Sequence, residues 1–438
     1  MLTIDSSQAK ISSDDLEQFQ PLLEREILAM QAVVETGGYH EDRASLNLLD
    51  DNRMLDQIER AAQSFRGADT IVLVGMGGPG LGARAVQEAI QGTLHTAVQS
   101  ARPSASSQVF YLDSIDPTRV VMLTEILQGY QAQNKKIVIV VATQSGTTAE
   151  TVANLEYFLT FLEQHDVDPR EALSIITNDG SPLDYFSHER GLSRVLVSPL
   201  IGGRYSIFSA LGLFPLSLMG IDINKLLAGA RDARRRGLNQ DLVHNIAARS
   251  AATIAIHYSA GRHILVNSML KPDYESVGLW CRQLMAESLG KKQDQYGHVV
   301  HIGYMPTVEI SSRDLHSMFQ LHMEGPDDTL TRFVRVATDD QVKLPVRPEF
   351  EALVPQLQGA SYQRLTHAIT EGVLHAYRAV ERPYLLTDLD GSVADLGSFL
   401  QTMMMETMFL GRLMNINPFN QPGVGLYKSQ MKKLLAQD

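Results

Sequence analysis

The chain has 438 residues, 44% of them hydrophobic and 20% charged, with a formal net charge of -12. This is the composition of an ordinary globular protein, long enough for two or three domains each with its own core. The acidic balance excludes a general nucleic-acid or anionic-membrane binder, but leaves room for a small phosphorylated ligand held at a local positive site.

The single cysteine, Cys281, excludes an intrachain disulfide and a thiolate metal cluster. A reducing, cytoplasmic setting is expected from it. The start of the chain lacks the basic stretch and apolar core of a signal peptide. The most apolar long window, 205–221, is too short and too rich in Ser, Gly and Pro for a membrane span. A soluble protein is expected.

Residues 13–35 carry Leu16, Phe19, Leu22, Leu23, Ile27 and Met30 at helical spacing, and 46–65 predicts a second helix. A strand follows at 68–74, then the glycine-rich turn Gly75-Met76-Gly77-Gly78-Pro79-Gly80-Leu81-Gly82 and a helix over 83–90. Next come a strand at 109–113 and a helix at 117–128. The run 137–142 is apolar at every position and mostly β-branched, as a parallel strand covered on both faces requires. Thr143-Gln144-Ser145-Gly146-Thr147-Thr148 follows it, and then Val152, Leu155, Phe158, Leu159 and Leu162 recur at helical spacing. With a further strand at 174–178, the alternation predicts a doubly wound α/β unit over about 66–200.

A second such unit follows a helical connection near 225–258. Its strands are expected at 262–266, 298–303 and 332–338, and its helices at 274–287, 316–323 and 361–378. The stretch 397–414 is a Met-rich helix expected to fill a core. A turn containing Pro and Gly and a short helical tail end the chain.

Each pattern with chemical content has a bland alternative. The hydroxyl-rich turn 143–148 puts four hydroxyls beside a helix N-terminus, where free N–H groups and the dipole suit a phosphate; equally, Ser and Thr there could simply cap the helix. Gly75, Gly77 and Gly80 fit the dinucleotide fingerprint, but no acidic residue stands about 20 positions on, and Asp113 is too distant. Asp388-Leu389-Asp390-Gly391-Ser392 resembles the nucleophile loop of haloacid dehalogenase-type phosphatases. Too little chain follows for that core, so a turn with solvated carboxylates is expected. His316, His322 and Glu324 match no zinc spacing, and no metal is expected. The cluster Arg231 to Arg236 reads as a solvated helix face. Glu287, at the end of an apolar helix, could serve as a general base, although a surface glutamate is the simpler reading of that motif alone.

Taken together and in order, six segments resemble the phosphoglucose isomerase family. They are Gly75-Met76-Gly77-Gly78 with Leu81-Gly82; Gln144-Ser145-Gly146-Thr147-Thr148-Ala149-Glu150-Thr151, similar to the family's phosphate loop; and Gly202-Gly203-Arg204-Tyr205-Ser206 with Ser209 to Leu213. The others are Gln283 with Glu287-Ser288-Leu289-Gly290-Lys291; Asp314-Leu315-His316-Ser317; and Asn417 to Val424, ending at Lys428.

The resemblance implies two sugar-isomerase-type α/β domains with doubly wound parallel sheets, at 66–224 and 225–395. A helical N-terminal segment, 1–65, would precede them, and a helical C-terminal segment, 396–438, would carry the lysine. It implies interconversion of glucose 6-phosphate and fructose 6-phosphate through a cis-enediol, with no cofactor or metal. By the same carry-over Thr143, Ser145, Thr147 and Thr148 hold the phosphate and Gln283 and Gln421 position the sugar, with Gly77, Gly78 and Gln144 also substrate-binding. Glu287 moves the proton between C2 and C1, Arg204 stabilises the enediolate, and His316 and Lys428 assist ring opening. The family's histidine comes from the neighbouring subunit, so a homodimer is implied.

Two positions depart from the family. Pro79 stands where a Ser is usual, removing a hydroxyl near the sugar, and Gln144 replaces a Lys, removing a positive charge. The length is similar to that of the compact bacterial type, or of the isomerase half of transaldolase–isomerase fusions. Two rival readings are an isomerase of another hexose phosphate, such as mannose 6-phosphate, and a non-catalytic sugar-phosphate sensor. A sensor needs the phosphate loop but not the base, so Glu287, His316 and Lys428 together count against it.

Overall fold

A computed structural model describes residues 2–101, 106–338 and 342–437. Its strands are β1 (Thr3–Asp5), β2 (Thr70–Val74), β3 (Gln108–Leu112), β4 (Ile137–Ala142), β5 (Leu173–Asn178), β6 (Ser193–Val197), β7 (Ile264–Met269), β8 (Lys291–Gln293), β9 (Val299–Ile302), β10 (Met305–Ile310), β11 (Thr329–Val336) and β12 (Tyr384–Leu389).

The first sheet runs β3-β2-β4-β5-β6, parallel throughout. Every residue of β2 and β4 is buried, which is what their unbroken apolar sequences demand of central strands covered on both faces. The chain steps from β2 to β3 on one side and returns to β4 on the other. The order therefore reverses between β2 and β4, and the crevice at their carboxyl ends is where an open α/β sheet receives a ligand. The glycine turn leaves β2 there, and the hydroxyl turn leaves β4 there.

The second sheet runs β1-β12-β11-β7-β10, with only β1 antiparallel. Its first strand comes from the very start of the chain and closes the far edge beside β12. Three residues are too short to leave a periodic signature, so a purely helical reading of the opening segment misses it. Among the described residues no helix is long and apolar enough to cross a membrane.

Several elements differ from the sequence reading for local reasons. The 13–35 helix is interrupted, giving Ser13–Glu17 and Gln20–Thr36, the second opening on Pro21. The 46–65 helix divides into a 3-10 turn, Ala44–Asp50, and a helix, Asn52–Phe65, whose Met54 N–H is capped by Asp51 at 2.9 Å. The strand expected at 298–303 is β9, which pairs with β8 in a hairpin, whereas the strand that joins the sheet is β10. One extended stretch serves both, so period-2 patterning does not separate them. Asp388 belongs to β12 rather than to a solvated turn, and its carboxylate accepts from Arg335 of β11 at 2.5 and 3.1 Å. Within the arginine cluster only Arg235 keeps to the solvated face. Arg234 donates to the Leu46 carbonyl (2.7 Å) and Arg236 to Ser398 (2.7 Å), tying that helix to its neighbours.

The Met-rich segment is the helix Val393–Leu413, buried at every position from Asp395 to Gly411. It accepts one polar partner in its core. Arg332 of β11 donates to both oxygens of Glu406 at 2.7 and 2.6 Å, and the two side chains are 0% and 1% exposed. Removing one partner of such a pair strands the other charge in the interior. Arg332→Met is expected to lower stability by about 3–5 kcal/mol in denaturant unfolding, and adding Glu406→Leu should recover most of that loss.

Candidate active site

Between the two sheets, the helix Gly78–Gln91 that follows the glycine turn packs along the helix Glu275–Leu289. The first of these begins at Gly78, earlier than expected, because Pro79 fits the first turn of a helix. Its glycines admit protein backbone. A Cβ on Gly78 would lie 2.1 Å from the Gly203 carbonyl oxygen, and one on Gly77 would lie 3.0 Å from Gln283 Nε2. The turn thus exists for close approach to the Arg204 segment and to Gln283, which accounts for its glycines without a dinucleotide.

In the hydroxyl turn, Thr143 is buried and its Oγ1 lies 2.9 Å from Thr148 Oγ1. Ser145 Oγ accepts from the N–H and the hydroxyl of Thr147, both at 3.2 Å, and these two residues face solvent. Thr148 precedes the helix Ala149–Gln164 yet makes no side-chain cap. The helix that follows β5, Pro182–Glu189, is capped in the ordinary way by Ser181 on the Asp184 N–H. The capping explanation therefore fails for the turn, and its helix offers uncapped N–H groups beside a set of hydroxyls. Gln144 turns its amide away from the crevice and donates to the Ile201 carbonyl, with its Oε1 beside Gly203. It fastens the hydroxyl turn to the Arg204 turn.

Arg204 is 1% exposed. Its Nε donates to Ser288 Oγ (2.7 Å), Nη1 to Gln421 Oε1 (3.1 Å), and Nη2 to the carbonyls of Pro418 (2.8 Å) and Asn420 (3.2 Å). Nη1 also stands 3.5 Å from Glu287 Oε2. Glu287 occupies the last turn of Glu275–Leu289 with its side chain 31% exposed, so it is the partner that can still meet a ligand. Its Oε1 accepts from Gln283 Nε2, one helical turn back, at 3.1 Å. Gln283 Oε1 is buried with no hydrogen-bond donor, an acceptor left unmet beside Glu287.

Lys291 donates to the carbonyls of Glu287 (2.8 Å) and Asn420 (2.7 Å). Burial, and then the charge of Arg204, push its pKa down to about 8 against the opposing pull of Glu287.

The fold thus gathers Gly77, Gly78, Arg204, Gln283, Glu287 and Gln421 around one crevice, with Thr143, Ser145, Thr147 and Thr148 joined to it through Gln144. It does not gather His316 or Lys428. His316 is exposed in the 3-10 turn Arg313–His316, and Lys428 is exposed in the helix Val424–Leu435. Neither side chain makes a hydrogen bond or ion pair among the described residues. The helix Glu275–Leu289 follows β7 and runs back along the sheet, so Glu287 lies toward the amino ends of the strands. His316 follows the carboxyl end of β10, and six extended residues span about 20 Å. His322 instead pairs with Glu309 of β10 at 2.8 Å, and no group of three or more candidate metal ligands occurs among the described residues.

Ser288, Lys291 and the carbonyls of Pro418 and Asn420 complete the site, and residue-by-residue reading assigns them nothing. Ser288 and Lys291 flank Glu287 at +1 and +4 across a helix end, which is the one signal that could have marked them.

A family model described as phosphoglucose isomerase matches residues 51–438. A glucose-6-phosphate isomerase of Thermus thermophilus is 29% identical over 443 residues, covering 100% of both chains. One from Mycoplasmopsis pulmonis is 31% identical, covering 87% of this chain and 86% of its own. Among solved structures, a Thermus thermophilus protein described as hypothetical matches with a TM-score of 0.86 at 28% identity over 100% of both chains. A glucose-6-phosphate isomerase of Chlamydia trachomatis matches with a TM-score of 0.83, covering 99% of this chain and 88% of its own; at 20% identity it shares the fold.

Gly78→Ala should push the Gly203–Arg204 backbone aside and lower stability by about 1–3 kcal/mol in chemical denaturation. Gly129→Ala is the control. It lies in the helix Pro117–Gln131 with nothing within 4 Å of its added Cβ, and should gain about 0.5–1 kcal/mol.

Proposed function

Because the chain belongs to the phosphoglucose isomerase family, we propose that it interconverts glucose 6-phosphate and fructose 6-phosphate through a cis-enediol. The observation that carries this reading is a partly open carboxylate, Glu287, held 3.5 Å from a buried guanidinium, Arg204, beside an uncapped hydroxyl turn. A carboxylate base takes the C2 proton and returns it to C1, while the oxygen that gains charge in between needs a fixed cation in a desolvated setting. The carboxylate that takes a proton at one carbon returns one at the other, and the electron pair stays within the substrate, so the chemistry calls for no cofactor.

In this reading the phosphate sits on Thr143, Ser145, Thr147 and Thr148 and on the N–H groups of the helix Ala149–Gln164. The open Oε1 of Gln283 accepts a sugar hydroxyl, with Gln421 and the Gly77–Gly78 backbone lining the same ring. His316 and Lys428 handle the proton at the ring oxygen. The exposure of His316 at the far end of the second sheet supports a homodimer in which each copy lends this residue to the other. The two sheets support domains at 66–224 and 225–395, with the terminal segments 1–65 and 396–438 packed onto them. A cytoplasmic location is proposed on the single cysteine and the phosphorylated substrate. Against a sugar-phosphate sensor stands the Arg204–Glu287 pair, which binding alone does not require.

Two measurements test the reading. Purified protein in deuterium oxide should place deuterium at C2 of glucose 6-phosphate as fructose 6-phosphate forms, and Glu287→Gln should reduce both by about 100-fold to 10,000-fold while sugar-phosphate binding persists. Retained exchange in that variant would remove Glu287 from the mechanism. Separately, mixing Glu287→Gln with His316→Ala and allowing subunits to exchange should restore about a quarter of wild-type activity, since about half the dimers are mixed and each has one intact site. No recovery from two inactive parents would mean that His316 acts within its own chain.

A further inference from the structure

We propose that Lys291 is a positioning residue of this site: its ammonium clamps the carbonyl of Glu287 to the carbonyl of Asn420 and so holds the base and Arg204 in register. The inference rests on the isomerase reading and adds a residue to which that reading gives no role.

The geometry is specific. Lys291 opens β8 directly after Gly290, which ends the helix Glu275–Leu289, and it is 8% exposed. Its Nζ lies 2.8 Å from Glu287 O and 2.7 Å from Asn420 O. The first of these is among the last carbonyls of the helix, which have no donor within it, and a cation there also meets the negative end of the helix dipole. The second is shared, since Asn420 O also accepts from Arg204 Nη2 at 3.2 Å. One turn, Pro418 to Gln421, therefore fixes the Arg204 guanidinium, and Lys291 fixes that turn to the residue carrying the carboxylate.

Without the ammonium, the Glu287 carbonyl loses this donor and the Asn420 carbonyl is left with Arg204 Nη2 alone. The base helix and the 417–421 turn then lose their direct link. Lys291 makes no bond to the hydroxyl turn, which is built on the first sheet. Its removal should accordingly disturb the groups that meet the developing charge and leave phosphate capture intact, so the effect belongs in kcat rather than KM.

The experiment compares wild type with Lys291→Met and Lys291→Ala on glucose 6-phosphate, with hydrogen exchange followed over 285–291 and 417–421. Both variants should lose about 100-fold in kcat, the scale of an ångström-sized misplacement, with KM within about twofold. Exchange in the two segments should quicken. Added propylammonium should return at least about tenfold of the kcat lost by Lys291→Ala, because it restores the cation without restoring the chain. An unchanged kcat, a loss confined to KM, or no response to the amine in either variant would overturn the proposal. If wild type shows no isomerase turnover while exchange still quickens in Lys291→Met, the clamp stands and the isomerase reading falls.

Discussion

The site depends on one constraint, that a guanidinium buried to 1% exposure must have its donors met. Arg204 meets it with acceptors drawn from far along the sequence: Ser288 at the end of the base helix, and Pro418, Asn420 and Gln421 near the end of the chain. A buried cation missing any of these would be costly, so the base helix and the 417–421 turn have to arrive together. The glycines at 77 and 78 follow from the same requirement. Gly78 lets the backbone that carries Arg204 come against the first sheet at a distance that a side chain would forbid, and Gly77 admits the Gln283 side chain from the base helix.

That convergence sets the orientation of the sheets. The first sheet presents the carboxyl ends of β2 and β4, where its strand order reverses, and its hydroxyl turn and helix dipole face the crevice. The second sheet presents the opposite ends, because Glu287 lies at the returning end of the helix after β7. The hydroxyl turn and Glu287 therefore come from two sheets. A residue at the carboxyl end of β10, such as His316, is then turned away from its own crevice and outward.

Much of this is legible in the sequence, for identifiable reasons. β2 and β4 are almost wholly apolar runs, and the Met-rich helix is dominated by Met, Leu and Phe, so burial follows from composition. β1 and β12 escape because one is three residues long and the other ends in Asp388-Leu389 and leads into Asp390-Gly391, whose chemistry suggests a turn. Arg335 explains how an aspartate stays in a strand. Glu287 can be picked out only through the motif around it, since a glutamate at a helix end is ordinarily a surface residue. Gln144 is recognisable as part of the loop, but its amide serves the Ile201 carbonyl, and that pairing over 57 positions leaves no local trace. The same holds for Lys291 and Asn420.

The two charged groups at the centre of the site are held to different degrees, and the difference suits proton transfer between adjacent carbons. Arg204 is immobilised by hydrogen bonds on every nitrogen before any ligand arrives. A donor that is already oriented needs no reorganisation when charge develops beside it. Glu287 is partly exposed, with one carboxylate oxygen accepting from Gln283 and the other facing Arg204 at 3.5 Å, longer than a strong charge-assisted hydrogen bond. That looseness leaves the carboxylate able to reach two carbons in turn, while its backbone carbonyl stays fixed by Lys291. On the proposed isomerase reading, a fixed cation beside a partly exposed carboxylate is what a shuttle between C2 and C1 requires. The neighbouring segments fix the first through buried donors and permit the second through its exposure.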